Sequence, residues 1–567
     1  MGWGARRMAQ VTKDAGLGTP VVGKRMYLAG EPLQFAGRVE DMLGWRLPLP
    51  KLKDAWSGRH LMVTRRVRRS CKREVRMSPI VDRMRRVLDA QRAAFLADPY
   101  PPLAERKRKL KALKAALRSH QDEIVTAVDA DFGGRSADET RLIEVIGPIL
   151  QIDHALANLR RWMKPSRRRT ELVFLTNRAR VEYQPKGVVG IINPWNFPLY
   201  LAVGPLVAAL AAGNRAMIRM SQFTPRSGEL LGRMLGGIFP ESEVAVFGGD
   251  LAEAEAFSCL PFDHLVFTGS SEVARHVMRA AAEHLVPLTL ELGGKSPALV
   301  APGADLADAA KRIAHGRTLS GGQVCVAPDY ALVQRDHVEP FAEAVCAAFG
   351  RMYCSPQGSA DYTALATDRR AQRIREMIVD AEAKGARVVA AGADGPGRRI
   401  ALRVVTRVRE DMTVMQQEIF GPILPVVPYD TLDDAIAYIN ARPRPLALYA
   451  FGLGGDELEK VTRRTHAGGM AINDCGWQAF NHDLPFGGIG NSGMGSYHGE
   501  EGFRALSHAK PVYARHRFFP IGLFYAPYGN AVQRLVMRFY LGMPARAAGR
   551  TQPGKKGESA TTAGPLG

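Results

Sequence analysis

From residue 187 onward, short continuous apolar runs alternate with amphipathic stretches. Val188-Val189-Gly190-Ile191-Ile192, Val244-Ala245-Val246-Phe247 and His264-Leu265-Val266-Phe267 are each too short for a buried helix, so they are read as strands buried on both faces. Between them lie helical stretches such as residues 205–212, ended by Gly213, which adopts the left-handed conformation at a helix end at little cost. The rhythm resumes at Ala298-Leu299-Val300 and Ala331-Leu332-Val333. Two α/β units with parallel sheets follow from this pattern, with ligands expected where chain segments leave the carboxyl ends of the strands.

Upstream, Leu103, Leu110, Leu113 and Leu117 mark one helical face, with Arg106, Lys109 and Lys111 at the polar positions, where solvation is expected. Residues 171–184 alternate around Asn177-Arg178 and predict a hairpin suited to edge pairing between subunits. Near the end, Val532, Leu535, Val536, Phe539 and Tyr540 form a helical stripe. Docking onto the body or a second subunit is its plainest use; peripheral membrane contact is the sharper alternative. The expected division is a basic, disordered leader (1–77), a cofactor-binding domain (78–290) that carries the hairpin, a catalytic domain (291–500), a return strand and tail for oligomerisation (501–542) and a disordered end (543–567).

Composition changes this picture little. At 567 residues the chain exceeds one core, and 46% hydrophobic content is globular. The formal charge of +21 raises nucleic acid as a partner, but residues 1–77 hold 17 Lys and Arg against 6 Asp and Glu and so supply about half of it. A solvated leader, or translated sequence upstream of a start at Met77, explains that run without a specific nucleic acid. Six cysteines lack metal or disulfide spacing, which favours a reducing compartment and no metal site. No secretory signal is legible, so a cytoplasmic location is expected.

Three segments suggest chemistry: Asn193-Pro194-Trp195-Asn196-Phe197-Pro198, Leu290-Glu291-Leu292-Gly293-Gly294-Lys295-Ser296-Pro297, and Gly321-Gly322-Gln323-Val324-Cys325. Singly, each has a bland explanation as a rigid turn, an ion pair or a packed thiol. In this order, joined by Gln417-Glu418-Ile419-Phe420-Gly421-Pro422 and Leu484-Pro485-Phe486-Gly487-Gly488, they resemble the aldehyde dehydrogenase superfamily over roughly residues 80–515. Ser492-Gly493-Met494-Gly495-Ser496-Tyr497-His498-Gly499 is similar to the class 3 branch, and Met220 and the tail to its coniferyl aldehyde dehydrogenases.

The resemblance implies a Rossmann-like cofactor domain beside an α/β catalytic domain, a homodimer, and NAD or NADP as cofactor. It implies Cys325 as the nucleophile, activated by a lowered pKa, Asn196 with the Cys325 N–H as oxyanion donors, and Glu291 as the base that admits water to the thioester. Cofactor contacts are expected from Trp195, Arg219, Ser221, Gln222, the segment Gly269-Ser270-Ser271-Glu272-Val273-Ala274, Glu418 and Phe420. Arg219 and Gln222 stand where relatives carry Lys and Glu. A neutral Gln222 would not repel a 2′-phosphate and Arg219 would pair with one, which predicts tolerance of NADP. The aldehyde is expected to be aromatic, of the phenylpropanoid kind such as coniferyl aldehyde, or medium-chain aliphatic. Two alternatives are an acyl-phosphate or acyl-thioester reductase of the same superfamily, and a non-enzymatic basic binder of nucleic acid or membrane surfaces.

Overall fold

The computed structural model of the chain describes residues 79–171, 174–354 and 359–542. The expected leader and the expected disordered end lie outside the described residues. Sixteen strands are formed among the described residues. They are β1 (Ser166–Arg168), β2 (Arg178–Pro185), β3 (Val188–Ile192), β4 (Arg215–Arg219), β5 (Val244–Phe247), β6 (His264–Gly269), β7 (Leu288–Leu292) and β8 (Pro297–Val300). The second half holds β9 (Tyr330–Gln334), β10 (Arg387–Ala390), β11 (Arg403–Thr406), β12 (Ile423–Tyr429), β13 (Ala447–Phe451), β14 (Gly469–Ile472), β15 (Gly493–Met494) and β16 (Ser507–Ala514).

The first sheet has the order β15-β7-β6-β3-β4-β5, parallel except for β15. Its strands are the expected apolar runs, and helices cover both faces, so each side chain is buried whichever way it points. The chain runs outward from β3 through β4 to β5, then returns to lay β6 on the other side of β3. A crevice must open at that reversal, above the carboxyl ends of β3 and β6. The second sheet has the order β10-β11-β12-β9-β8-β13-β14, parallel except for β10. The division expected at residue 290 falls inside β7, because the strand that carries Glu291 completes the first sheet.

The hairpin differs from expectation. Strand β2 pairs antiparallel with β1 from Ser166 to Arg168 rather than with a strand at 171–176, and Phe174 to Asn177 form a turn. Along its other edge β2 takes eight partners from β16. The reach of β16 back to residue 178 is a long-range pairing that local alternation cannot reveal.

Of the basic positions of the helix Leu103–Ser119, Lys111 is exposed as expected, but Arg106 and Lys109 are not solvated. Arg106 is 1% exposed and donates from Nε to the Pro101 carbonyl at 2.9 Å and from Nη1 to the Ala211 carbonyl at 3.0 Å. Lys109 is buried against Glu243 at 3.0 Å. The Arg106 guanidinium holds the end of the helix Tyr200–Ala212 at the Ala211 carbonyl, while the Ala209 and Leu210 carbonyls accept from the Gly213 N–H. That helix begins earlier than predicted, at Tyr200, and ends as predicted at Gly213 with φ 90°. Among the described residues the helical run Ala137–Trp162 is long and apolar enough to cross a membrane, but 56% of its most apolar window is buried inside the fold. The tail stripe forms the helix Ala531–Leu541, with Leu535, Phe539, Tyr540 and Leu541 exposed.

Candidate active site

The segment after β3 places Trp195 and Asn196 at the crevice. Asn193 fixes it by donating from Nδ2 to the Pro198 carbonyl at 2.9 Å. Asn196 is 3% exposed, and its Nδ2 donates to the Gln323 carbonyl at 3.1 Å. A side-chain amide has two N–H bonds, so one remains for a ligand. Gln323 is itself held on both sides: Nε2 donates to the Ser320 and Ala364 carbonyls at 2.8 and 3.2 Å, and Oε1 accepts from the Ala366 N–H at 2.9 Å. The two segments that carry Asn196 and Cys325 are thereby fixed to each other.

Cys325 departs from the rule that chemistry follows a strand. Its loop precedes β9, so the thiol lies at the amino edge of the second sheet and faces the carboxyl edge of the first. The backbone reaches that point through three successive left-handed residues, Ser320 at φ 52°, Gly321 at 62° and Gly322 at 79°. A Cβ on Gly322 would lie 2.6 Å from the Gly421 carbonyl carbon, so the turn has no room for a side chain there.

Glu291 projects from β7 into the same space. It is 1% exposed, and neither carboxylate oxygen has a complete hydrogen bond; its one polar neighbour of consequence is the Cys325 thiol. Burial pushes its pKa up to about 7, with the thiol acting in the opposite sense. The thiol is raised well above its ordinary value, first by burial and then by the Glu291 charge. This reverses the expected lowering. A thiolate here would lose hydration and sit beside a carboxylate, so in the resting pair the proton stays on sulfur and Glu291 is the acceptor poised to take it.

A cavity with about 600 Å³ of empty space leads to Cys325 and is lined by Phe197, Tyr200, Leu201, Trp477, Phe480 and Phe486 among others. Rings from three separate segments make it apolar and flat-walled, and the ring centroids of Tyr200 and Phe480 lie 5.5 Å apart.

The expected cofactor residues gather at the first crevice. Ser270 caps the helix Ser271–Ala282 at its N-terminus, at the end of β6, accepting from the Val273 N–H at 3.4 Å. The free N–H groups of that turn, carried by a twelve-residue helix, suit a phosphate. Trp195 and Phe420 meet edge to face at 5.5 Å, with Phe420 strained at φ 52°. Glu418 lies against Gly293, where any Cβ would come within 2.1 Å of its Oε1. Burial pushes its carboxyl up to about 8, and a carboxyl held in this way suits neutral hydroxyls such as those of a ribose. Ser221 and Gln222 follow β4, with Gln222 exposed. Arg219 is placed differently from expectation. It is 2% exposed, and its Nη2 donates to the Gly249 and Asp250 carbonyls at 2.8 and 2.6 Å, so the guanidinium secures the loop after β5.

Several supporting residues escaped the sequence reading. Asp329 accepts from Arg317 at 2.9 Å, from Lys295 at 2.5 Å and from the Ile419 N–H at 3.1 Å. One buried carboxylate therefore ties the Cys325 loop to the Glu291 and Glu418 motifs. Arg135 donates to the Asn196 carbonyl at 2.7 Å, and Glu144, in a π-helical turn, accepts from the Leu199 and Tyr200 N–H groups at 2.9 and 2.7 Å. Asp329→Ala leaves Arg317 and Lys295 buried without their anion. It is expected to destabilise the fold by about 3–5 kcal/mol, as a denaturant titration would measure.

A parallel sheet with a crevice at its strand reversal carries a buried carboxyl and an amide donor, and a loop before a strand of the second sheet brings a thiol to them; this is the arrangement of a nucleotide-dependent enzyme with a cysteine at its centre. Residues 80–512 match the aldehyde dehydrogenase family, and the chain belongs to it. A probable coniferyl aldehyde dehydrogenase of Pseudomonas aeruginosa is 49% identical over 465 residues, which span 81% of this chain and 97% of the relative. The substrate-bound Staphylococcus aureus AldH structure superposes with a TM-score of 0.76 at 33% identity, covering 80% of this chain and 99% of that one. A Mycobacterium tuberculosis aldehyde dehydrogenase complexed with NAD+ superposes with a TM-score of 0.69 at 30% identity, covering 75% and 88%. The protein is an oxidoreductase that converts an aldehyde to its carboxylic acid with NAD(P)+.

Proposed function

We propose that Cys325, Glu291 and Asn196 carry out this oxidation on an aromatic aldehyde of the phenylpropanoid kind. The apolar, ring-lined cavity that ends at Cys325 carries the reading, and the name of the Pseudomonas aeruginosa relative supports it. A planar ring would pack against the wall made by Tyr200, Phe480 and Trp477, with its aldehyde carbon towards sulfur. Glu291 takes the thiol proton as sulfur adds to the carbonyl, and the free Asn196 N–H and the Cys325 backbone N–H stabilise the new oxyanion. NAD(P)+, held by Trp195, the turn from Gly269 to Ala274, Glu418 and Phe420, supplies the hydride acceptor. Glu291 then draws a proton from the water that attacks the Cys325 thioester.

Purified enzyme assayed on a panel is expected to give its highest kcat/KM with cinnamyl-type aldehydes, above straight-chain aldehydes of six to ten carbons by about tenfold, as about 1.4 kcal/mol of differential packing allows. A preference for aliphatic aldehydes would overturn the assignment. With Arg219 committed to two carbonyls and Gln222 neutral and exposed, there is no carboxylate at 222 to repel a 2′-phosphate, and both NAD+ and NADP+ are expected to serve. A preference for NAD+ above about 100-fold, or roughly 2.7 kcal/mol, would exclude this. Strand β16 is the longer of the two edge strands of the three-stranded sheet, and a second copy seated on it gives the expected homodimer, which light scattering of the eluting protein would detect.

A further inference from the structure

The cavity that leads to Cys325 has an inner and an outer end. At the inner end Asn196 is bonded to Gln323, and the turn that follows, closed by the Leu201 N–H on the Phe197 carbonyl at 3.0 Å, brings Phe197 and Tyr200 into the wall. Both are buried, whereas Trp477 of the same wall is 48% exposed and marks the outer end. A ladder of rings joins the two. Tyr200 to Phe480 and Phe480 to Trp477 each measure 5.5 Å between centroids, and Trp477 to His315 measures 6.0 Å with the planes 7° apart. His315, half-buried, is the last rung.

The helix Leu306–Thr318 sets that rung in place. Its Gly316 packs on the loop that carries Trp477, where a Cβ would lie 2.6 Å from the Cys475 Cβ, so glycine lets the helix come this close. The charged groups nearby are paired with one another: Arg312, one turn before His315, meets Asp308 at 2.7 Å and Asp474 at 3.6 Å. Burial lowers the His315 pKa against the pull of Glu139 and Asp474, so the ring is neutral at neutral pH and carries one donor and one acceptor nitrogen. Neither nitrogen has a hydrogen-bond partner among the described residues. The other polar rungs differ, since the Tyr200 hydroxyl already donates to the Ala479 carbonyl at 3.2 Å and the Trp477 indole has a donor only. An uncommitted imidazole in a wall of rings adds little to the binding of a plain hydrocarbon and suits a ligand with a hydroxyl of its own. Resting on the reading of the substrate as an aromatic aldehyde of the phenylpropanoid kind, we propose that His315 is a specificity-determining residue that accepts a hydrogen bond from a hydroxyl on the far side of the substrate ring, so that the preferred substrates are ring-hydroxylated cinnamyl aldehydes rather than cinnamaldehyde itself. In a 4-hydroxycinnamyl aldehyde the carbonyl and the phenol stand at opposite ends of a flat conjugated frame. With the carbonyl carbon at the Cys325 sulfur, the frame lies along the ladder and delivers the hydroxyl to its outer end. His315 takes no part in the chemistry at sulfur, so its contribution falls on KM rather than kcat.

Steady-state kinetics with cinnamaldehyde, 4-hydroxycinnamaldehyde and 4-methoxycinnamaldehyde, the last unable to donate, test this. The wild-type enzyme is expected to give the hydroxylated aldehyde a kcat/KM about tenfold above either of the others, which is about 1.4 kcal/mol and the size of one neutral hydrogen bond, with the difference in KM. His315→Phe keeps a ring against Trp477 and removes both nitrogens, and there the ratio of hydroxylated to unsubstituted aldehyde should fall to within about twofold of one. Because the readout is a ratio, a change that merely loosens the cavity slows all three aldehydes and leaves it unmoved. A wild-type ratio below about twofold overturns the inference, as does a ratio in His315→Phe that stays at the wild-type value. A wild-type enzyme that prefers straight-chain aldehydes to all three would instead overturn the aromatic reading on which the inference rests.

Discussion

Cys325→Ala abolishes aldehyde oxidation while NAD+ still binds. Removing the sulfur removes the atom that makes the carbonyl tetrahedral, and no neighbouring group replaces it, since Glu291 is the only other reactive side chain in contact with the thiol. A loss of roughly 10⁴-fold or more in kcat is expected, as for other covalent nucleophiles. The fold tolerates the change. Cys325 is half-buried at the end of a cavity, its loop is held by Gln323 rather than by sulfur, and alanine leaves no charge without a partner. Cofactor binding is read independently from quenching of protein fluorescence, because Trp195 lies in the crevice that the dinucleotide occupies. A variant that oxidises aldehyde at even a hundredth of the wild-type rate would exclude sulfur as the nucleophile.

The legibility of this site in the sequence follows from which interactions are local. The strands of both sheets are apolar runs fixed by their own residues, so β3, β5, β6, β8 and β9 all stand within a few positions of expectation. Cys325, Glu291 and Asn196 sit in short motifs because each needs a turn or a glycine immediately beside it. Arg317, Asp329, Arg135 and Glu144 were not legible, because their roles come from partners 12 to 104 residues away in the chain. A signal did exist for two of the buried cations. Arg317 continues the buried stripe of Ile313 and Ala314 on the helix Leu306–Thr318, and Arg106 lies one turn before Leu110 on the same face. A cation inside an apolar stripe is costly unless paired, so its position predicts a tertiary partner even when the partner cannot be named. The thiol departs from the expected lowering of its pKa for a related reason: the sign is set by the enclosing apolar walls and by a carboxylate 34 residues upstream.

Glu291→Gln separates the two halves of the reaction. Glutamine keeps the size and the hydrogen-bonding reach of the side chain but cannot accept a proton, so water at the thioester loses its base. Adduct formation loses its proton acceptor too, but that single proton can pass to water as sulfur adds, and hydride loss from the adduct needs only the oxyanion donors, so one equivalent of NAD(P)H per active site should still appear in a burst, more slowly than in the wild type, before turnover stalls. Steady-state rate is expected to fall by about 100- to 10,000-fold, the usual contribution of a positioned base, and acyl-Cys325 should accumulate to the level of the burst. The pH dependence carries the same signature. With the Glu291 carboxyl near 7, the wild-type base is ionised above that value and protonated below it, so kcat should fall about tenfold per pH unit once the pH drops beneath the midpoint. In Glu291→Gln that acid limb disappears, because no group at the position titrates. Retention of the limb would assign it to another residue, and loss of the burst would show that Glu291 is needed to deprotonate the thiol before the aldehyde can add. The resting geometry gives that second outcome a definite meaning: with the thiol pushed up chiefly by burial, water would be unable to replace Glu291 as acceptor of the thiol proton, and both half-reactions would depend on that one carboxylate.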